Sequence, residues 1–139
     1  MKKLISALFA AVLMAAGLVV ASAGTASADC TPSQYSGCVT TKTKAIAPSF
    51  VKQRAKATVC AKVKAPGSNA TPTGRIKFTV TRNKGDYVFK DSVSYSGSKV
   101  CVTTGKLKKK GGYTLTAKFK SPSGSVFTDS SDSAGFDVG

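Results

Sequence analysis

Apolar and polar side chains alternate along most of the chain from Arg54 onwards. Because side chains two residues apart share one face of a β-strand, each alternating stretch predicts a strand with one buried and one solvent-facing side. Clusters of Gly, Pro, Ser and Asn separate these stretches, and such clusters are typical of turns. The pattern predicts an all-β protein, an antiparallel two-sheet sandwich of about seven strands. The apolar positions are Ala55, Ala57, Val59, Ala61, Val63, Ile76, Phe78, Val80, Val100, Val102, Tyr113, Leu115, Ala117 and Phe119.

The first residues have the pattern of an export signal. Two lysines precede an apolar run over residues 4–20, and a triplet of small residues ends at Ala28. This pattern predicts a signal peptide over residues 1–28, cleaved after Ala28. A membrane anchor is the alternative, but small and polar residues interrupt the run before it comfortably spans a bilayer. We therefore expect one secreted domain over residues 29–139, extracellular or associated with the cell wall.

The cysteines agree with export. The chain has four cysteines, all of them beyond the predicted signal peptide. An even number of cysteines in an exported chain of this size predicts two disulfides. Zinc binding is the alternative, but the chain has no His and the spacings match no four-cysteine zinc motif. The predicted disulfide residues are Cys30, Cys38, Cys60 and Cys101.

Missing residue types narrow the possible functions. The chain carries 21 Lys and Arg against 6 acidic residues, has no His, and has a formal charge of +15. All the acidic residues are Asp, so neither an imidazole base nor a Glu pair is available for hydrolysis, and we predict no enzyme activity. Asp129 and Asp132 lie close together in a Ser-rich stretch that indicates a solvated loop rather than a calcium site. We expect no metal and no cofactor.

The stretch from Arg54 to Val138 resembles the bacterial immunoglobulin-like domains that occur singly or as repeats in exported surface proteins. The resemblance rests on residues 72–80 (PTGRIKFTV), on residues 112–119 (GYTLTAKF) and on a last strand containing Phe136. It implies an immunoglobulin-like form of the sandwich. It also implies a structural role for Tyr113, whose hydroxyl would bind the backbone across the corner before its strand.

The resemblance further implies how the cysteines pair. It places Cys60 and Cys101 on the second and fifth strands, which are neighbours in one sheet, and both lie in the outward register of their strands. We therefore predict a Cys60–Cys101 disulfide on the solvent face. A Cys30–Cys38 disulfide would then close an N-terminal loop within residues 29–40. The other two connectivities would tie that loop to the sandwich, and they stay open.

The basic charge is the feature that suggests a function. Without the two lysines of the predicted signal the formal charge is still +13, whereas a magnitude of about 2–8 suffices for solubility. We predict a non-catalytic adhesion or binding module whose partner is an anionic cell-envelope polymer or a surface protein. Solubility and protection of sheet edges are the alternative explanation. The predicted polyanion-binding residues are Arg54, Lys56, Lys62, Lys64, Lys99, Lys106, Lys108, Lys109 and Lys110.

Other partners are weaker candidates. Specific nucleic-acid recognition is not expected, because the strand aromatics lie in the buried register and Arg is scarce. A second hypothesis is a soluble small-ligand carrier or an enzyme inhibitor, which would use the loop near Tyr35 or residues 87–95. The two hypotheses differ in salt response, because lysine-mediated binding weakens with ionic strength whereas an apolar cleft retains its ligand.

Overall fold

The computed structural model describes residues 37–82 and 86–139, and this part of the chain is built from strands. The predicted signal peptide and most of the predicted N-terminal loop, including Cys30 and Tyr35, lie outside the described residues. In the described part, no helix has the length and hydrophobicity needed to cross a bilayer. The strands are β1 (Lys42–Ile46), β2 (Phe50–Val51), β3 (Thr58–Lys64), β4 (Gly74–Arg82), β5 (Asp86–Tyr95), β6 (Val100–Thr103), β7 (Gly111–Lys120) and β8 (Ser130–Val138).

The strands form two sheets with an immunoglobulin-like arrangement. The smaller sheet has the order β1-β3-β6, and the larger has the order β2-β8-β7-β4-β5. Neighbouring strands are antiparallel, except that β2 runs parallel to β8. The smaller sheet corresponds to strands A, B and E of an immunoglobulin domain, and β4, β7 and β8 correspond to C, F and G. The predicted fold class is confirmed.

The described residues form eight strands rather than about seven, because the first segment divides between the two sheets. Pro48 lies between β1 and β2, and proline has no N–H to donate to a strand ladder. The chain therefore leaves the smaller sheet after Ile46 and joins the larger sheet at Phe50, beside β8. In this numbering Cys60 and Cys101 lie on the third and sixth strands.

The core lies between the sheets and is formed by the apolar side of each alternating stretch. Tyr95 of β5 is also buried there, and its hydroxyl donates to the carbonyl oxygen of Val63 at 2.9 Å and accepts from the Val63 amide at 2.9 Å. Because β5 and β3 belong to different sheets, this side chain joins the two layers. The predicted core residues that are buried are Ala57, Val59, Ala61, Val63, Ile76, Phe78, Val80, Val102, Tyr113, Leu115, Ala117, Phe119 and Phe136, with Val138 also buried.

The predicted Cys60–Cys101 disulfide is confirmed. The two residues are directly opposite each other on β3 and β6, and their Cα atoms lie 4.0 Å apart. Cys101 is exposed and Cys60 is half-buried, whereas their neighbours Val59 and Val102 are buried, so the bridge lies on the solvent side of the smaller sheet. Cys38 is also disulfide-bonded. Its predicted partner, Cys30, lies outside the described residues.

Two local predictions are wrong. Arg54 was expected to begin a strand, but its φ is 64° and the amide of Ala55 donates to the carbonyl of Lys52, so the chain turns there and β3 begins at Thr58. The stretch from Ser130 to Ser133 was expected to be a solvated loop. It is the first half of β8, because its backbone pairs with β7 and a carboxylate oxygen of Asp132 accepts the Ala45 amide at 2.9 Å.

Candidate anion-binding site

The predicted polyanion-binding residues do not form one surface. Lys62 and Lys64 lie on the outer face of the smaller sheet, and Lys99 is exposed just before β6. The remaining residues lie towards the other end of the domain, where β3 and β7 begin. There, Arg54, Lys106 and Lys108 line one small hollow, Lys109 and Lys110 continue the same loop, and Lys56 is exposed in the segment before β3.

A close grouping of cations in the strand registers lies on the outer face of the larger sheet. Arg75 is directly opposite Lys120, and Lys77 is directly opposite Lys118, on the paired strands β4 and β7. All four side chains are exposed, while the alternate residues of both strands point into the core. We call these four residues the large-sheet cluster. Opposed Cβ atoms are about 5 Å apart, and the two pairs are about 7 Å apart along the strands.

The position of the large-sheet cluster separates it from lysines that protect sheet edges. In the order β2-β8-β7-β4-β5, both β7 and β4 have a strand on each side, so neither is an edge. Like charges directly opposite each other on a sheet are destabilising. Solubility needs charge on the surface but not charge concentrated in this way. The cluster therefore has a stability cost that edge protection does not explain.

The surroundings of the large-sheet cluster suit an anionic ligand. A hollow of about 810 Å³ is lined by the four cations together with Thr73, Gly74, Ser92, Tyr95 and residues 121–123. The Nε and Nη2 atoms of Arg75 lie 3.4 Å from the side-chain and backbone oxygens of Ser92, which helps to hold the guanidinium over the sheet. Ser131 lies opposite Lys118 on the other side, so hydroxyl groups flank the cations.

Three aspartate carboxylates accept hydrogen bonds from backbone amides. Asp132 accepts from Ala45, and Asp91 accepts from the amide of Ser92 at 2.7 Å. Asp129 accepts from both the amide and the hydroxyl of Ser121, at 2.8 and 3.0 Å. Asp91 and Asp129 therefore bind residues that line the hollow, but neither carboxylate is itself among the lining residues.

The smaller sheet carries a second grouping of two opposed cation pairs, in which β3 is an interior strand and β1 is an edge strand. Lys42 is directly opposite Lys64, and Lys44 is directly opposite Lys62, on β1 and β3. All four are exposed, and the alternate residues Ala45, Ala61 and Val63 are buried. We call these four residues the small-sheet cluster. It contains two of the predicted polyanion-binding lysines and two, Lys42 and Lys44, that were not predicted.

The aromatic side chains within residues 87–95, the alternative site for a small ligand, differ in burial and do not face one surface. Tyr95 is buried, Phe89 is half-buried against the core, and Tyr87 is 68% exposed, with the ammonium of Lys90 3.7 Å from the centre of its ring. These three side chains therefore do not form a common cleft.

Tyr113 is buried, and its hydroxyl donates to the carbonyl oxygen of Lys109 at 2.7 Å. This is the backbone contact that the immunoglobulin resemblance implies.

Sequence reasoning placed the large-sheet cluster on an outward face but did not include it in the predicted binding site. The period-two pattern already separates Arg75, Lys77, Lys118 and Lys120 from the core. Their grouping depends on β4 pairing with β7 in this register. The signal for this pairing was the GYTLTAKF segment, because it resembles the strand that has a neighbour on each side in immunoglobulin-like domains.

The fold has counterparts among solved structures. No family model matches this sequence, and no curated protein matches it. The chain is similar to a Thermotoga maritima protein provisionally named a superoxide reductase, with a TM-score of 0.51 and 17% identity over 70% of this chain and 86% of that one. At this identity the likeness shows a shared fold alone.

Two weaker likenesses carry no argument. One is to the CARDB domain of a Pyrococcus furiosus protein in complex with di-metal ions, with a TM-score of 0.45 and 13% identity over 76% of this chain and 97% of that one. The other is to a conjugative transposon lipoprotein of Bacteroides eggerthii, with a TM-score of 0.41 and 9% identity over 69% of this chain and 95% of that one.

Within residues 37–82 and 86–139, no group of three or more His, Cys, Asp or Glu side chains could hold a metal ion.

Proposed function

We propose that this chain is a secreted, non-catalytic immunoglobulin-like module, of the kind found in bacterial surface proteins, that binds linear anionic polymers of the cell envelope. The observation that carries the proposal is the large-sheet cluster, in which two cation pairs are directly opposed on interior strands. An anionic polymer along this face would replace cation–cation repulsion by attraction. Polymer binding would then explain why the free protein keeps a cluster whose like charges lower its stability.

Export is part of the same proposal. The disulfide between Cys60 and Cys101 is exposed on one side, and such bonds persist in oxidising compartments. Together with the signal-like sequence of residues 1–28, this supports a location outside the cytoplasm, where the chain would meet envelope polymers.

The binding mechanism follows from the chemistry of the cluster. Three of its four cations are lysines, which act as point charges with rotatable donors, and the fourth is an arginine, which can bind an oxyanion through two N–H groups. Such a face favours repeated phosphate or carboxylate groups without selecting a particular sequence of monomers. Binding of this kind releases counterions, so its affinity falls steeply with salt.

Titration with two polymer probes tests the proposal. Fluorescent long-chain inorganic polyphosphate represents phosphate polymers, and polygalacturonate represents carboxylate polymers. If four cations are neutralised, the affinity for a flexible chain should fall roughly 50-fold between 50 and 200 mM salt. Absence of binding to both probes at 50 mM salt would refute the proposal, and salt-independent binding would favour a small-ligand or protein site instead.

A matched pair of variants locates the site. Replacement of Arg75, Lys77, Lys118 and Lys120 by Gln removes the large-sheet cluster, while replacement of Lys106, Lys108, Lys109 and Lys110 by Gln removes the same charge from a loop. We expect the first variant to lose the binding component that belongs to this face, whose slope of log affinity against log salt has a magnitude of about 3. We expect the loop variant to retain most of the slope. Equal losses in the two variants would show that net charge alone governs binding.

A further inference from the structure

The large-sheet and small-sheet clusters lie on opposite outer faces of the sandwich. Each has two directly opposed cation pairs, Arg75–Lys120 and Lys77–Lys118 on one face, Lys42–Lys64 and Lys44–Lys62 on the other. We propose that one molecule binds two anionic polymer chains, one on each face, and so cross-links them. This proposal rests on the proposed function and adds a second binding site and a joining activity to it.

The core keeps the two faces apart. Two packed sheets lie about 10 Å from each other, and the side chains of the clusters extend away from the core in opposite directions. The charges of the two clusters are therefore farther apart than the Debye length, which is about 10 Å at 0.1 M salt. Occupation of one face by an anionic chain leaves the other face positive. The two clusters can act as separate sites.

At one end and along one side of the domain, the surface between the clusters disfavours a single chain that wraps around it. At the other end, Lys56 and the loop that carries Lys106–Lys110 are cationic, and the loop variant described below tests that route. Residues 65–73 connect β3 to β4 at the end where Lys64 and Arg75 lie, and this connection contains no Lys or Arg. Residues 121–129 at the same end also contain none. Along one side of the domain, β8 separates the clusters, and it carries Asp132 and Asp137 but no cation.

Along these routes, two chains of polymer suit the charge distribution better than one. A chain passing from face to face by these routes would leave several of its anionic groups without partners, whereas two separate chains can each follow one face. Because each molecule then joins two polymers, several bound molecules would tie the same two chains together with an avidity above that of a single face.

A sandwich capture experiment tests this inference. Beads carrying biotinylated long-chain polyphosphate are loaded with the purified protein in about 0.1 M salt, at which the two faces are screened from each other, then washed and exposed to fluorescent polyphosphate. We expect protein-loaded beads to retain the fluorescent polymer. If the protein binds the beads but retains no second polymer, cross-linking is overturned while the proposed function stands. If the protein does not bind the beads, the proposed function itself fails.

Two face variants and one control assign the sites. We expect the Gln variant of Arg75, Lys77, Lys118 and Lys120, and the Gln variant of Lys42, Lys44, Lys62 and Lys64, to bind the beads through their remaining face and to lose capture. The Gln variant of Lys106, Lys108, Lys109 and Lys110 has the same net charge and removes the loop lysines that the sequence predicted to bind polyanions. It tests whether this loop rather than the two faces carries capture, and the inference requires that capture is kept. Capture that survives either face replacement, or that is lost equally in the loop variant, overturns the inference. Light scattering on the free protein checks that each molecule acts as a monomer, because capture by a dimer through one face on each copy would also overturn it.

Discussion

The hydroxyl of Tyr95 contacts both backbone polar groups of Val63, each at 2.9 Å, and lies 3.0 Å from the carbonyl oxygen of Gly97. We expect Tyr95→Phe to lower the free energy of unfolding by about 2 kcal/mol, because it removes buried hydrogen bonds and leaves the Val63 amide without its partner. Urea unfolding measures the change. Tyr87→Phe is the matched control, since Tyr87 is 68% exposed and should change stability by less than about 0.5 kcal/mol. Equal effects of the two substitutions would contradict this account.

The Tyr113 hydroxyl stabilises the turn into β7. Its 2.7 Å bond to the Lys109 carbonyl closes the loop that carries Lys106–Lys110, so we expect Tyr113→Phe to cost about 1 kcal/mol. The ring packs on Phe136 and remains in place in the Phe variant, so the circular dichroism of the sheets should not change. A thermal unfolding curve that overlays the wild-type curve would show that the bond contributes nothing.

The Cys60–Cys101 disulfide closes a loop of 41 residues in sequence separation. Replacing both cysteines by Ser should cost about 4 kcal/mol, because the unfolded chain regains the freedom that the bond removed. The bond lies on the solvent side of its strands, so we expect the core and the far-ultraviolet spectrum to be retained. Loss of the β spectrum under native conditions would mean that the strands depend on the bond.

Cation repulsion in the large-sheet cluster predicts a gain of stability on mutation. Lys118→Glu places an anion directly opposite Lys77, and we expect it to raise the free energy of unfolding by about 0.5 kcal/mol at low salt while it weakens polymer binding. Lys118→Gln should have a smaller effect in both respects. Urea unfolding at low and high salt checks the sign, and a Glu variant that is less stable than wild type at low salt would contradict the repulsion.

Gly74 begins β4 next to the end of β7. A Cβ atom there would contact the carbonyl oxygen of Lys120 and lie 2.9 Å from the ring of Phe119, so Gly74→Ala should cost about 2 kcal/mol through backbone displacement. Gly105→Ala is the control, because no atom lies within 4 Å of the Cβ position there. Similar free energies of unfolding for the two variants in urea would show that the start of β4 can shift away from β7 at little cost.

The properties that could be predicted from the sequence are those that depend on the alternation of apolar and polar side chains along each strand. Alternation identified which side chains enter the core, and it placed Cys60 and Cys101 on the outer side of their strands, because facing depends only on position within a strand. The pairing of β4 with β7 joins segments far apart in the chain, and alternation does not fix that register. The cation pairs of the large-sheet cluster therefore became visible only in the folded sandwich.

The two local errors have the same origin. Arg54 continues the alternation of its neighbours, yet the backbone turns there because the amide of Arg54 donates to Leu107 in a distant loop. Asp132 lies in a polar stretch that has the composition of a loop, but its carboxylate caps the free amide of Ala45 at the edge of the smaller sheet. In both places a long-range contact decided the local structure.

The opposed cation pairs of the large-sheet cluster also affect how the protein resists heat. Directly opposed like charges are unfavourable in the free domain, and under the proposed function a bound anionic chain would offset that repulsion in addition to contributing its own binding energy. The domain should then melt at a higher temperature when it is embedded in the polymer than when it is free in solution. If the proposed function holds, a molecule released from its polymer would lose this protection and become easier to degrade.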